Sequence, residues 1–288
     1  MEYLIHLAII FSIYAILGIS LNLVVGYTGL LSVTHAAFFG IGAYTSAILL
    51  TQVGGNFFVS LFLGIILAVI VSFLIGAILS RLSGDYYILG TVGFNFIVFS
   101  IFLNWSILTR GPLGIPGIPK PSLFGIDISS NVSYLLLAAV FLLLIYLASR
   151  YIINSSFGRV LKAIREDEKA IQVFGYNTLY YKLAIFVISA AMASLAGSLY
   201  TSYISFIDPS TFTVMESIFI LAIIILGGLA NLEGSLLGAF FLILLPELLR
   251  FVGFPSDIAA HMRQLVYGIL LIVLMLYRPQ GLIGEYKL

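Results

Sequence analysis

The sequence predicts an all-α polytopic membrane protein, and its composition and apolar periodicity carry this prediction. Of the 288 residues, 61% are hydrophobic and 9% are charged, against about 25% charged residues in a typical soluble domain. Apolar runs recur along the chain at the length of about 20 residues that a helix needs to cross a bilayer core, which predicts about eight to ten transmembrane helices. The connecting loops are too short for a soluble domain, so residues 1–288 are predicted to form a single transmembrane domain.

The candidate spans are nine apolar segments, namely residues 4–25, 30–51, 57–79, 86–108, 134–150, 183–206, 214–230, 235–249 and 265–277. Residues 57–79 carry no charge and form the clearest span. Residues 4–25 lack the basic leader and the cleavage site of a signal peptide and are predicted to be a retained span. The short segments 214–230 and 235–249 flank the sequence Asn-Leu-Glu-Gly, which predicts either two spans or one broken, partly re-entrant element.

Residues 151–182, called the coupling segment below, form the one long basic stretch between two spans. Six of the thirteen Lys and Arg residues lie in or beside it: Arg150, Arg159, Lys162, Arg165, Lys169 and Lys182. On a helical projection its apolar and charged side chains separate onto opposite faces, which is typical of an amphipathic helix at a membrane surface. The positive-inside bias places this segment and the C-terminal tail in the cytoplasm, and residues 105–132 outside.

The acidic triplet 166–168 indicates that the coupling segment contains two helices. Glu168 falls within the apolar arc, which is unfavourable for a helix that simply rests on anionic lipid headgroups, the alternative interpretation. A second short helix that begins at Glu166-Asp167-Glu168 and ends near Gly175 accommodates these residues, because acidic side chains favour a first turn and glycine a helix end. Two short helices joined by a turn are typical of a protein-docking element.

The sequence lacks the motifs of several other functions. It has no Gly-rich phosphate loop and no His-Glu-x-x-His motif, and its histidines at 6, 35 and 261 are far apart. These observations predict a protein that is not an enzyme, holds no metal and binds no cofactor directly. The net charge of +1 argues against a nucleic-acid partner. The Pro- and Gly-rich loop 105–132 predicts turns and rigid extended backbone, either as a plain surface loop or as a docking surface for an external partner.

Two Gly-rich segments interrupted by polar residues lie in opposite halves of the chain, at 26–42 and 227–238. Unwound backbone at membrane depth must be satisfied by protein or by a water-filled cavity, so such a pair indicates a transport path. The candidate pathway residues are Asn22, Gly26, Thr34, His35, Asn95, Glu216 and Asn231. The glycines themselves are interpreted first as sites of close helix packing. Glu233 would reach the cytoplasmic face if 214–230 were a full span.

Five stretches carry a family resemblance. They are LNLVVGYTGLLS at 21–32, HAAFFGIGAY at 35–44, GRVLKAIREDE at 158–168 followed by Gly175, LGGLANLEGS at 226–235 and YRPQGL at 277–282. In this order they closely resemble permease subunits of branched-chain amino acid ABC transporters of the LivH/LivM family, and the LivM type most. The resemblance extends over almost the whole chain.

The resemblance implies a cell-membrane subunit that pairs with a homologous permease, binds two cytoplasmic ATPase subunits and receives cargo from an external solute-binding protein. ATP and Mg²⁺ would be used by the ATPases. The implied ATPase-coupling residues are Gly158, Arg159, Lys162, Ala163, Ile164, Arg165, Glu166, Asp167, Glu168 and Gly175. The separation between Glu168 and Gly175 is one residue longer than the usual importer pattern.

The implied function is import of leucine, isoleucine and valine by alternating access. Related permeases share these motifs, so another amino acid, urea or a short amide stays open as the cargo. A secondary carrier without an ATPase is a further alternative, but it would be expected to place carboxylates at mid-span, and the spans before Arg150 have none. A membrane enzyme is disfavoured because no cluster of acid, base and metal-binding groups is visible.

Overall fold

A computed structural model describes residues 2–123, 126–128 and 130–251, together with positions 265, 268–269, 272, 276 and 280–283. In chain order the helices are α1 (Glu2–Thr28), α2 (His35–Gln52), α3 (Phe57–Leu79), α4 (Asp85–Asn104), α5 (Ser106–Thr109), α6 (Asn131–Asn154), α7 (Ser156–Glu166), α8 (Glu168–Val173), α9 (Thr178–Ile204), α10 (Val214–Gly227) and α11 (Leu232–Phe251). This composition confirms the predicted all-α membrane fold.

Five of the described helices, α1, α3, α4, α6 and α9, are long and apolar enough to cross a bilayer, or six spans if α10 and α11 together count as one. The expected number was eight to ten. Part of the difference lies in α2, which starts at His35 because residues 29–34 are not helical and whose 18 residues include polar side chains from His35 to Gln52. The predicted span 265–277 falls largely outside the described residues.

The segments 214–230 and 235–249 form one broken element, the second of the two alternatives above. α10 has 14 residues, about 21 Å of helix, which is too short to cross a core of about 30 Å. The chain direction changes by 119° between α10 and α11. The residues 228–231 at this break, called the hinge below, include Gly228 and Ala230 in positive-φ conformations. A change of direction this large is typical of a re-entrant pair.

The core lies around α1, α2 and α9, whereas α3, α4 and α6 present apolar side chains outward, for example Phe62 and Leu136. α2 and α9 touch through their backbones. A β-carbon added at Gly42 would overlap the carbonyl oxygen of Ser194, and one added at Gly197 would overlap that of Phe39. The interpretation of the glycines of 26–42 as packing sites is thus confirmed at Gly42, and Gly197 is a packing site that the sequence analysis did not name.

The loop between α4 and α6 is ordered by short strands. β1 (Ile115–Pro116) pairs antiparallel with β4 (Phe206–Ile207), which follows α9, and β2 (Ser122–Leu123) pairs with β3 (Ile126–Asp127). A 3-10 turn at Gly111–Leu113 precedes β1. The predicted turns and extended backbone are therefore confirmed.

Candidate functional site

The coupling segment folds as two helices joined at Asp167. Its backbone is extended there (φ −154°), which ends α7, and its carboxylate accepts hydrogen bonds from the amides of Lys169 (2.9 Å) and Ala170 (3.0 Å), which caps α8. Such a cap satisfies amides that have no partner within the helix. α8 ends at Val173, and Gly175 follows with φ +87°. Both the second helix and its glycine stop are as predicted.

α7 is anchored to the membrane domain by its apolar face. Leu161 and Ile164 are buried, and a β-carbon at Gly158 would overlap the carbonyl oxygen of Ile153, so the turn from α6 into α7 requires glycine. Ile164 is one of the implied ATPase-coupling residues named above. The structure turns it inward, because the apolar stripe of an amphipathic helix packs on its own protein.

Glu168 is paired within the protein rather than with lipid. Its Oε1 lies 2.5 Å from the ammonium of Lys182, at the start of α9, and accepts a hydrogen bond from the hydroxyl of Thr178 at 3.0 Å. Gln172 in turn donates to that hydroxyl at 2.9 Å. Lys182 is only 6% exposed. This network fixes α8 to α9 and explains how a carboxylate occupies the apolar arc.

The far end of the coupling segment presents apolar side chains to its surroundings. Val173, Phe174 and Tyr176, called the tip below, are 87%, 78% and 45% exposed. Arg159 and Lys169 are also exposed. An exposed apolar group rimmed by charge is typical of a protein-interaction surface.

α7 also meets the last turn of α1. The Arg165 guanidinium donates to the carbonyl oxygen of Gly26, and its aliphatic stem lies beside Gly29, where an added β-carbon would be 3.2 Å from Cγ. The ammonium of Lys162 lies 5.5 Å from the ring centroid of Tyr27. Arg165 therefore contacts α1 from within the coupling segment.

Asn22 binds the hinge from inside α1. Its Nδ2 donates to the carbonyl oxygen of Asn231 (2.8 Å) and to Oγ of Ser235 (2.7 Å), and its Oδ1 accepts from the amide of Ala230 (3.0 Å). Gly26 lies next to the same place, since a β-carbon there would be 2.6 Å from the Ala230 nitrogen. Three predicted pathway residues, Asn22, Gly26 and Asn231, are thus brought together as hinge contacts.

The non-helical segment 29–34 is held by polar side chains of α4, and the start of α2 that follows it is held by a side chain of α10. Thr91 accepts from the amide of Val33 at 3.3 Å, and Asn95 donates to the Val33 carbonyl at 3.0 Å and to the Ser217 hydroxyl at 2.7 Å. The same hydroxyl accepts from the amide of Ala36 at 2.9 Å. Thr34 bonds Ser32 through their hydroxyls at 2.9 Å. Both backbone groups of Val33 are thus satisfied by side chains of α4, as unwound backbone at membrane depth requires.

The remaining two candidates, His35 and Glu216, bond to other partners. His35 is buried in the core, with Nε2 at 3.0 Å from the hydroxyl of Ser189 on α9. Glu216 accepts a hydrogen bond of 2.5 Å from the hydroxyl of Tyr14. The seven predicted pathway residues therefore divide between the hinge, the segment 29–34 and two separate side-chain contacts. Within the described ranges, no group of three or more His, Asp or Glu residues could hold a metal ion.

Residues 3–275 match the family described as the permease component of branched-chain amino acid transport systems. The chain belongs to this family. It is 37% identical to the high-affinity branched-chain amino acid transport system permease protein LivM of Escherichia coli K12, over 97% of the chain and 69% of that protein. A probable LivM of Methanocaldococcus jannaschii is 28% identical over 96% of the chain and 91% of its own length.

The permease is also similar to relatives of the LivH type. The LivH permease of Salmonella typhimurium LT2 is 27% identical over 95% of this chain and 92% of its own length. No solved structure matches the chain. Membership in this family makes the protein a multi-pass permease of the inner membrane that works with another permease and with ATPases, and permease subunits are not themselves enzymes.

Sequence reasoning missed several residues that organise this permease. Thr91 binds Val33 in the segment 29–34, Ser217 binds Asn95 and the amide of Ala36 at the start of α2, and Ser235 binds Asn22. Each is a small hydroxyl in an apolar helix, where such residues commonly pack or bond back to their own helix. Only the three-dimensional neighbours distinguish these roles, so the sequence carried no separate signal for them.

Proposed function

We propose that this chain is a membrane-spanning subunit of an ATP-driven importer that moves leucine, isoleucine and valine across the inner membrane by alternating access. The proposed assembly contains a homologous permease of the LivH type, two cytoplasmic ATPase subunits that use ATP and Mg²⁺, and an external solute-binding protein. The observation that carries the proposal is the structure of the coupling segment, an anchored helix α7 followed by a helix α8 with an exposed apolar tip.

The coupling segment offers two faces with different roles in this proposal. The tip and the exposed charges of Arg159, Glu166, Asp167 and Lys169 would contact the ATPase. The inward face would transmit the movement of the ATPase to the membrane domain. This face consists of Ile164, Arg165, Lys162 and the Glu168 network. Gly158, Ala163 and Gly175 would keep the backbone shape that separates these faces.

The transmission follows contacts that join one element to the next. ATP binding closes the two ATPases, which displaces α7 and α8. Arg165 connects α7 to Gly26 in the last turn of α1, and Asn22 connects α1 to the hinge between α10 and α11. ATP can shift the equilibrium between the outward-facing and inward-facing states only if the transporter binds ATP with different affinity in these two states. The proposed moving part of the translocation pathway is the hinge together with the segment 29–34. The further candidate residues of this pathway are Thr34, His35, Asn95, Glu216 and Asn231.

The proposed orientation places the coupling segment and the C-terminal tail in the cytoplasm. The excess of basic residues in and beside 151–182 supports this orientation through the positive-inside rule. The loop 105–132, stiffened by β1 and β4, then faces outward, where it would meet the solute-binding protein.

Transport by a reconstituted complex tests the function. The chain, with the subunits encoded beside it, is placed in proteoliposomes, and uptake of radiolabelled leucine and of urea is measured with and without ATP at the ATPase side. ATP-dependent leucine uptake is expected. ATP-dependent urea uptake would support an ATP-driven importer with urea as its cargo. Leucine uptake by this chain alone that does not depend on ATP would favour a secondary carrier.

A further inference from the structure

A polar cavity lies where the coupling segment meets the hinge. Its volume is about 290 Å³, and it opens between the ends of α1 and α6, the helix α7 and the start of α11. Its lining includes the charged residues Arg150, Lys162 and Glu233, with Tyr27, Asn231 and Leu232 beside them. The cavity is close in size to the smallest sites that hold small molecules, about 300 Å³. Its polar lining contrasts with the apolar surfaces of α3, α4 and α6.

The charges of this cavity come in both signs on separate elements. Arg150 belongs to α6 and Lys162 to α7, whereas Glu233 belongs to the first turn of α11. A guanidinium binds a carboxylate or phosphate with two parallel hydrogen bonds, and the carboxylate of Glu233 would repel a ligand that is purely anionic. Leu232 and Ile153 add apolar surface at the same place.

We propose that the cavity is a binding site for a small zwitterion that carries one acidic group and one primary ammonium. The acidic group is held by Arg150 and Lys162, the ammonium by Glu233, and an aliphatic portion lies against Leu232 and Ile153. Two sources present this chemistry, a free aliphatic amino acid such as leucine and the headgroup of an aminophospholipid at the membrane surface.

The position of the site gives the ligand a regulatory role. Because the lining residues come from α6, α7 and the hinge region, a bound zwitterion would connect the coupling segment to the re-entrant pair. It would hold these elements in the arrangement seen here and oppose movement between them. This regulatory consequence rests on the proposed function, whereas binding itself does not.

Equilibrium binding of radiolabelled leucine tests the site directly. The complete transporter, without its solute-binding protein, is placed in nanodiscs of phosphatidylcholine, which has no primary ammonium. Binding is expected, and Glu233→Gln and Arg150→Gln are each expected to weaken it at least tenfold, about 1.4 kcal/mol. The matched controls Asp85→Asn and Arg81→Gln, at the exposed connection of α3 and α4, leave it unchanged. Leucinamide and 4-methylpentanoate, which each lack one charge, compete at least tenfold more weakly than leucine.

A second arm distinguishes the two sources. If leucine does not bind but phosphatidylethanolamine co-purifies with the wild type, and is lost from Glu233→Gln and Arg150→Gln, the ligand is the lipid headgroup. If neither ligand is retained, or both variants bind like the wild type, the proposal is overturned.

Arg150→Lys guards against a folding defect in Arg150→Gln, because it keeps the charge but loses the two parallel hydrogen bonds, and it is expected to bind more weakly than the wild type and more tightly than Arg150→Gln. ATP-driven uptake is measured separately, after the same purified proteins and the solute-binding protein are placed in proteoliposomes. If leucine binds but no uptake is measured, the proposed function is contradicted and the binding site stands. If uptake is measured but no ligand binds, the binding site is contradicted and the proposed function stands.

Discussion

Replacing Asn22 by leucine tests whether this side chain holds the hinge. The substitution roughly preserves side-chain volume but removes the bonds to Asn231, Ser235 and Ala230. Hydrogen bonds inside membrane proteins contribute about 0.6 kcal/mol on average and up to about 1.7. The loss of three of them is therefore expected to lower the free energy of unfolding by about 2 to 5 kcal/mol. Unfolding in mixed micelles, followed by tryptophan fluorescence and circular dichroism, measures this change.

Asn104→Leu is the matched control, because Asn104 is exposed and bonds only the backbone of Ser100, one turn earlier; it should shift unfolding by less than about 0.5 kcal/mol. Ser235→Ala, alone and combined with Asn22→Leu, completes a double-mutant cycle, in which a coupling energy of about 1 kcal/mol is expected for one buried bond. An Asn22→Leu protein that unfolds like the wild type would refute the assignment of Asn22 as a hinge contact.

Three further predictions follow from packing, exposure and orientation. Gly42→Ala is expected to lower the free energy of unfolding by about 1 to 3 kcal/mol, because the added methyl group clashes with the α9 backbone. The control is Gly93→Ala, whose added β-carbon meets no atom within 4 Å and which is expected to be neutral or stabilising by about 0.5 to 1 kcal/mol. Equal changes in the free energy of unfolding for the two variants would contradict the packing argument. Phe174→Asp should abolish co-purification of the ATPases, whereas Leu113→Asp, equally exposed but in the loop before β1, should retain them, and retention by both variants would exclude the tip as the docking surface. A cysteine at position 156, replacing Ser156, should react with an impermeant maleimide only from the cytoplasm, and one at position 113 only from outside; labelling from one side would overturn the proposed topology.

The sequence predicted local structure well where one residue was incompatible with its neighbours. Glu168 within an apolar arc indicated a second helix, and the structure places a helix start and an ion pair with Lys182 there. The break at 228–231 was also visible, because glycine and a polar residue interrupt an apolar run. These features depend on interactions between residues that are near one another in the chain.

Long-range contacts could not be predicted in the same way. Asn22 and Asn231 are both polar residues near apolar runs, and nothing in their local sequence indicates that one binds the backbone of the other. The amphipathic character of α7 was predicted, but its neighbours were not, so the contact between Arg165 and the carbonyl oxygen of Gly26 could not be expected from the sequence. The described residues contain fewer spans than the eight to ten expected for the chain, because hydropathy alone does not reveal that 29–34 is unwound or that the chain changes direction by 119° between α10 and α11.

The backbone contact between α2 and α9 has a mechanical consequence. Where Gly42 and Gly197 bring main chain against main chain, no layer of side chains is available to slide, so the two helices should behave as one stiff lever. α9 has 27 residues, about 40 Å of helix. One end of this lever is tied to the coupling segment by Lys182, and the other runs into β4, which is paired with β1. A displacement applied at the first end is then delivered to the opposite face of the membrane domain without any rearrangement of the core between them.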